Sequence, residues 1–486
     1  MHRCTSALNL AFLCVRSLSR QRRDVLRGKN IAFTETVVSP RNKIYPVSPC
    51  VPCGKLVLSH SWEPNLSTDS WLSLDRLGTL SPAYGGIEGL GAGYYYGETD
   101  MRQPSQRSLN IPPFIVMDVL EKAQKMEREG RSVIHMEIGE PDFETPEVVR
   151  QAAIEAIEMG DTRYTHSLGL IDLREAISEH YELRYGVKVD PGRIIVTPGT
   201  SPALLLIFAA LLEAGGEVLM NDPHYACYPN FVSFLGGQPV YSPVFARNGY
   251  FPDLDDMAGR IGAHTAAVLI NSPGNPTGAV LDEDILGAIA GMGVPVISDE
   301  IYHGLVYGTK EHSILEFTEE AFVLNGFSKL YAMTGWRLGY VIAPERFVRP
   351  MQKMQQNFFI SAAAFVQRAG IAALRHTSTE VQEMVRTYDR RRKLLLSGLR
   401  EIGLPVPADP QGAFYVLVDA RHLDSDSYRL AFDILERVGV AVTPGIDFGP
   451  SAEGHLRFSY ANSSENLCEG IRRLSEYIRE VTHDDI

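Results

Sequence analysis

The sequence predicts an α/β protein in two parts: a large domain on a mostly parallel central sheet, then a smaller C-terminal α+β domain. Three observations point there. Beyond residue 111, short apolar strands alternate with helix-like stretches, the order expected of a parallel sheet with crossover helices. The strands lack strict polar alternation, which fits a sheet covered on both faces. Gly, Pro, Asn and charged residues gather where strands end, the edge at which open α/β sheets bind ligands.

In chain order, Val116, Val119, Leu120 and Ala123 predict a helix over 116–128, entered through Pro112-Pro113-Phe114. A strand over 133–137 ends in the loop Gly139-Glu140-Pro141-Asp142-Phe143, and a helix over 146–159 follows. The strand series continues at 194–196, 217–220, 267–270, 294–298, 322–325 and 338–342, with helices such as 202–213 and 282–291 between strands. After Pro350 the chain turns mainly helical, over 365–376 and 380–399. A strand over 412–418 and an amphipathic helix over 465–481 come last. The expected divisions are an N-terminal arm with part of the small domain (101–146), the large domain (147–375) and the small domain (376–486).

Composition excludes several function classes. Apolar residues at 45% and charged residues at 22% are globular values. A formal net charge of −13 argues against nucleic-acid binding, which needs a basic surface. No uncharged apolar run reaches the roughly 18 residues of a transmembrane helix. Four of the six cysteines precede residue 100, leaving Cys227 and Cys468 for the rest, which is the usage of a reducing compartment. A cytoplasmic location is therefore expected, or an organellar one if the N-terminal segment is a targeting peptide. Cys50-Val-Pro-Cys53 has redox or zinc spacing without a second pair, and the histidines have no close ligand spacing, so no metal is expected.

Residues 1–100 differ from the rest. They carry 11 Lys/Arg against 8 Asp/Glu, scattered prolines, the Gly-rich stretch 85–93 and Tyr94-Tyr95-Tyr96. Such a segment buries little against its ordering entropy, so a poorly structured extension is expected. Arg3, Arg16, Arg20, Arg22 and Arg23, with no acid before Asp24, resemble an organelle-targeting peptide. The favoured reading is a start at Met101, because ordered sequence begins almost immediately after it.

The chemistry-bearing motifs all sit in loops after strands. Val196-Thr197-Pro198-Gly199-Thr200-Ser201-Pro202 runs from strand to helix, so the Gly199, Thr200 and Ser201 amides can face an anion. Asp299, in Ser298-Asp299-Glu300-Ile301-Tyr302, ends an apolar strand, where a carboxylate needs a partner. Lys329 follows Ser328, and Arg337 follows eight residues later in Gly335-Trp336-Arg337-Leu338-Gly339. Asn271-Ser272-Pro273-Gly274-Asn275-Pro276-Thr277-Gly278 completes the set in the large domain. In the small domain, Arg457 stands in His455-Leu456-Arg457-Phe458-Ser459-Tyr460, and a planar guanidinium suits bidentate carboxylate binding.

These motifs, in this order, resemble the class I/II aminotransferase family of fold type I enzymes, which use pyridoxal 5′-phosphate (PLP). The resemblance covers 109–486 and none of 1–100. It implies that 147–375 is the PLP-binding domain and that Lys329 forms the Schiff base with PLP and then shuttles the substrate Cα proton. It implies Asp299 on the pyridine nitrogen, Tyr302 and Asn275 on the ring phenolic oxygen, and Tyr225 stacked on the ring. Ser328, Arg337, Gly199, Thr200 and Ser201 would hold the phosphate, joined by Tyr164 of a neighbouring subunit in a homodimer with shared sites. Arg457, Asn275 and Gly139 would receive the substrate α-carboxylate. The implied activity is transfer of an amino group from an amino acid to a 2-oxo acid in two half-reactions, within amino-acid metabolism. A PLP lyase or synthase on the same scaffold is the alternative. A PLP-binding regulator would need a basic helix-turn-helix upstream, which residues 1–100 do not offer.

Overall fold

The strand ends that carry those motifs lie side by side in one seven-stranded sheet. A computed structural model describes residues 103–483, and the expectations for residues 1–100, Cys50 and Cys53 included, lie outside the described residues. In chain order the strands begin with a short β1 (Ile134–His135) that stands apart from the central sheet. The sheet comprises β2 (Ile194–Thr197), β3 (Glu217–Asp222), β4 (Gln238–Pro243), β5 (Thr265–Asn271), β6 (Val296–Asp299), β7 (Ala321–Gly326) and β8 (Gly339–Ile342). Their spatial order is β2-β8-β7-β6-β5-β3-β4. β8 runs antiparallel to β2 and β7, and the other neighbours are parallel.

β2, β6, β7 and β8 are buried along their whole length. Successive residues enter different cores: Val196, Val296 and Val323 join one, while Ile195, Ile297, Phe322 and Leu324 join the other. Strand side chains alternate in direction, so both faces of the sheet are covered and the strands read as apolar runs.

Two of the departures from expectation involve proline. β4 lies outside the expected strand series, and it carries Pro239 and Pro243, which a central strand would not accept. It pairs only with β3, and a sheet edge tolerates residues without an N–H. The expectation that helix begins only after Pro350 is corrected: the helix Glu345–Phe358 runs straight through it. An interior proline costs roughly 3 kcal/mol. Burial of Met351, and of Gln355 donating Nε2 to the Val196 carbonyl at 3.0 Å, offsets that cost.

The smaller domain holds β9 (Tyr415–Asp419), β10 (Val440–Ala441), β11 (Thr443–Pro444) and β12 (His455–Ser459). β11, β12 and β9 form an antiparallel sheet, and β10 pairs in parallel with β1. The helix Ile115–Arg128 is capped from a distance: Asp447 Oδ1 accepts from the Ile115 N–H at 3.0 Å and Oδ2 from the Val116 N–H at 3.3 Å. Among the described residues no helix is long and apolar enough to cross a membrane, and no cluster of His, Cys, Asp or Glu could hold a metal ion.

Candidate active site

β5, β6 and β7 all deliver their carboxyl ends to one cavity of about 450 Å³. β6 ends on Asp299, β5 on Asn271, and β7 runs through Gly326 and Phe327 to Ser328 and Lys329. The sequence-predicted residues Thr200, Ser201, Tyr225, Asn275, Asp299 and Tyr302 line this cavity. Ser328, Lys329, Arg337, Gly139 and Arg457 line it as well. Tyr164 does not: it is 81% exposed on the surface of the single chain.

Lys329 Nζ donates to the Gly139 carbonyl at 2.6 Å. Its desolvation in the cavity wall draws the amine down to about 8, against an opposing pull from the Glu140 carboxylate. Asp299 is 5% exposed; its Oδ2 accepts from Tyr228 Oη at 2.7 Å and its Oδ1 from the Ile301 N–H at 3.1 Å. Burial pushes its carboxyl up to about 6 in spite of those bonds. Tyr302 Oη lies 2.9 Å from Tyr415 Oη, and burial raises the Tyr302 phenol well above its ordinary range.

One end of the cavity is built for an anion. Thr200 and Ser201 open the helix Thr200–Leu211, whose first N–H groups have no partner within the helix. Gly199, just before them, has φ +97°, and a Cβ there would fall 2.3 Å from Arg337 Nη2. Only glycine lets that guanidinium approach the helix start. Arg337 itself holds φ +55°, a left-handed conformation uncommon for a side chain of its size, and donates to the Thr334 carbonyl at 3.1 Å.

At the small-domain side, the Arg457 guanidinium is 3% exposed and lies between the Tyr415 ring at 4.3 Å and the Phe448 ring at 4.8 Å. Its Nη1 donates to Asn275 Oδ1 at 3.0 Å and its Nη2 to Thr443 Oγ1 at 3.0 Å and to the Glu137 carbonyl. Its Nε is buried without a hydrogen-bond partner. A Cβ on Gly139 would fall 1.9 Å from Tyr415 Oη, so glycine is the residue that fits against this wall.

Sequence reasoning missed several lining residues, Tyr228, Asn271 and Tyr415 among them. Tyr228 lies three positions after Tyr225, where the helix Tyr228–Phe234 begins, and it makes the 2.7 Å bond to Asp299. Asn271 is paired in register with Asp299, donates Nδ2 to its carbonyl at 2.9 Å, and accepts the Asn275 N–H at 2.8 Å. Tyr415 stands in a strand that read as plain core. Pairing of polar residues at adjacent strand ends was the available signal for Asn271.

Comparison with known proteins adds a second line. The family model "Aminotransferase class I and II" matches residues 131–474. The (5-formylfuran-3-yl)methyl phosphate transaminase of Methanocaldococcus jannaschii is 42% identical over 77% of this chain and all of its own length. The chain belongs to the class I and II aminotransferase family. The aspartate aminotransferase of Pyrococcus horikoshii is 37% identical over 76% of this chain and 96% of its own. The structure of aspartate aminotransferase from Thermus thermophilus with maleate superposes with a TM-score of 0.75 at 38% identity, covering 77% of this chain and 100% of that one.

This aminotransferase has the fold type I architecture and depends on PLP, with an amino acid and a 2-oxo acid as substrates. Its residues fit that cofactor. Arg337 and the helix start suit a phosphate, while Asp299, lifted by burial, suits a cationic partner such as a protonated ring nitrogen. The Arg457 guanidinium, on the small-domain side of the same cavity, is of a kind that suits a carboxylate.

Proposed function

We propose that this aminotransferase works through Lys329 in a ping-pong reaction with the cofactor lying between Asp299 and Arg337. The observation that carries this is Lys329 itself, enclosed in the cavity with its amine drawn down to about 8. An ordinary lysine, near 10.4, is almost wholly protonated at neutral pH and is neither nucleophile nor base. A desolvated one keeps a usable neutral fraction.

PLP, when bound, supplies an aldehyde that condenses with amines and a ring that withdraws electrons from the substrate Cα. The remaining tasks belong to the chain. Ser328, Arg337 and the amides of Gly199, Thr200 and Ser201 grip the phosphate. Asp299 holds the proton on the ring nitrogen, Tyr225 covers one ring face, and Tyr302 and Asn275 donate to the ring oxygen. Arg457, Asn275 and Gly139 would orient the α-carboxylate, and Lys329 Nζ would take the proton from Cα and deliver it to the cofactor C4′ carbon, two bonds away. The second substrate then runs the same steps in reverse.

We further propose a homodimer in which Tyr164 completes the neighbouring site. The Thr165 N–H donates to Ser361 Oγ at 3.3 Å, and the chain neighbours of that pair, Tyr164 and Ile360, are both exposed. Exposed side chains of this kind suit a two-fold interface. A cytoplasmic role in amino-acid metabolism is proposed from the cysteine usage and the reaction type.

The deciding experiment is borohydride reduction of the PLP-loaded chain followed by peptide mass mapping. Cofactor mass is expected on the peptide carrying Lys329, and mass on another lysine would refute the assignment. Lys329→Ala is expected to bind PLP and give no keto-acid product. Mixed dimers of Lys329→Ala and Tyr164→Ala chains should recover activity if the site is shared.

A further inference from the structure

The roles above leave several lining residues unassigned, and some of them give the cavity an apolar wall. Phe114, Val116, Met117 and Ile138 line it. They come from two places: the entry to the helix Ile115–Arg128, and the residue just before Gly139. Ile138 is therefore adjacent to the residue whose carbonyl meets Lys329 Nζ, so the wall starts beside that amine. Phe114 stands edge-on to the Tyr225 ring with centroids 5.9 Å apart, which brings the wall up to the proposed cofactor plane.

The cations lining the cavity are Lys329, Arg337 and Arg457, and each already has a partner in the proposed reaction. Among the described residues that form this wall, none can pair with a second carboxylate. A carboxylate pressed against it would lose water without gaining a donor, whereas an aliphatic or aromatic side chain would gain from the same burial.

The wall is also fixed relative to the carboxylate grip. Asp447 accepts from the Ile115 and Val116 N–H groups at 3.0 and 3.3 Å, so one small-domain carboxyl sets where Phe114, Val116 and Met117 stand. The next residue, Phe448, underlies the Arg457 guanidinium at 4.8 Å. A single turn, Gly445–Phe448, thus ties the side-chain wall to the group that holds the α-carboxylate.

We infer that this wall is the side-chain subsite, that preferred amino donors carry neutral apolar or aromatic side chains, and that Asp447 is a positioning residue for it. The inference rests on the roles given to Lys329 and Arg457. Relatives named for aspartate, for valine–pyruvate and for aromatic amino acids share this fold, so family membership leaves the choice open.

The test is half-reaction kinetics on the PLP-loaded full chain, following the cofactor spectrum with leucine, methionine and phenylalanine against aspartate and glutamate. The best apolar donor is expected to exceed both acids in kcat/KM by at least about tenfold. A ratio near one, or in favour of an acid, overturns the subsite and leaves the transaminase reading intact. Failure of every donor to convert the cofactor overturns that reading instead. In a folded, PLP-loaded Met117→Arg chain the aspartate-to-leucine ratio should rise by about tenfold or more, and an unchanged ratio overturns the wall assignment. Asp447→Asn should raise KM for apolar donors with kcat largely kept, and an unchanged KM in the folded, loaded variant removes its positioning role.

Discussion

Asp299 and Glu300 are consecutive carboxyls, both buried at the end of β6, and they face opposite surroundings. Asp299 lines the cavity and receives two hydrogen bonds, from Tyr228 and Ile301. Glu300 points the other way and is filled by protein donors: Ser298 Oγ at 3.2 Å, Ser313 Oγ at 3.0 Å, the Ile314 N–H at 3.1 Å and Tyr181 Oη at 3.2 Å. Burial lifts both, Asp299 to about 6 and Glu300 to about 8. The more displaced of the two is the one enclosed in structure. A perturbed carboxyl marks chemistry only when part of its surroundings is a cavity that a ligand can fill.

Four substitutions put that contrast to the test. The largest effect is expected from Asp299→Ala, with turnover falling about 10³-fold while the urea midpoint moves little. A loss below about tenfold would end the contrast on the cavity side. Glu300→Ala should instead cost stability, about 3 kcal/mol, because it leaves four buried donors without an acceptor; equilibrium denaturation measures it.

Glu300→Gln is milder and carries a pH signature. The folded chain keeps the Glu300 proton up to about 8, while the unfolded chain releases it near 4.5. That contribution to wild-type stability is complete below the unfolded value and is lost as pH rises through the folded one. The variant lacks this dependence, so its stability relative to wild type should improve as pH rises across that window. A flat difference in urea midpoints would contradict it. Tyr228→Phe should have the smallest effect: loss of one 2.7 Å bond, about 1 kcal/mol, which raises the Asp299 carboxyl further and weakens PLP affinity several-fold by spectroscopic titration.

Much of the fold was legible because a doubly covered sheet turns its strands into apolar runs that end in polar loops. β5, β6, β7 and β8 were all anticipated with shifts of a residue or two. β4 was hidden by prolines that only an edge strand tolerates, and the helix through Pro350 by a penalty that tertiary burial outweighs. Lys329, Asp299, Asn275 and Arg457 were visible because each sits in a local motif. Asp447 was not, because its partners Ile115 and Val116 lie more than three hundred residues away and nothing in its own neighbourhood announces them.

The parallel pairing of β1 with β10 has a consequence for the order of assembly. Thr443 Oγ1 donates to the Glu137 carbonyl across 306 residues, and the Ser459 N–H donates to the Met136 carbonyl at 2.7 Å. Synthesis delivers β1 early and its partners near the end, with every strand of the central sheet between them. A ribosome-bound chain that has passed Ile342 holds the complete set of large-domain strands and a β1 still without its neighbour. Gly139 and Arg457 come into register when that late clasp closes. The reaction chamber is thus complete only once β12 has emerged, well behind the strands of the large domain.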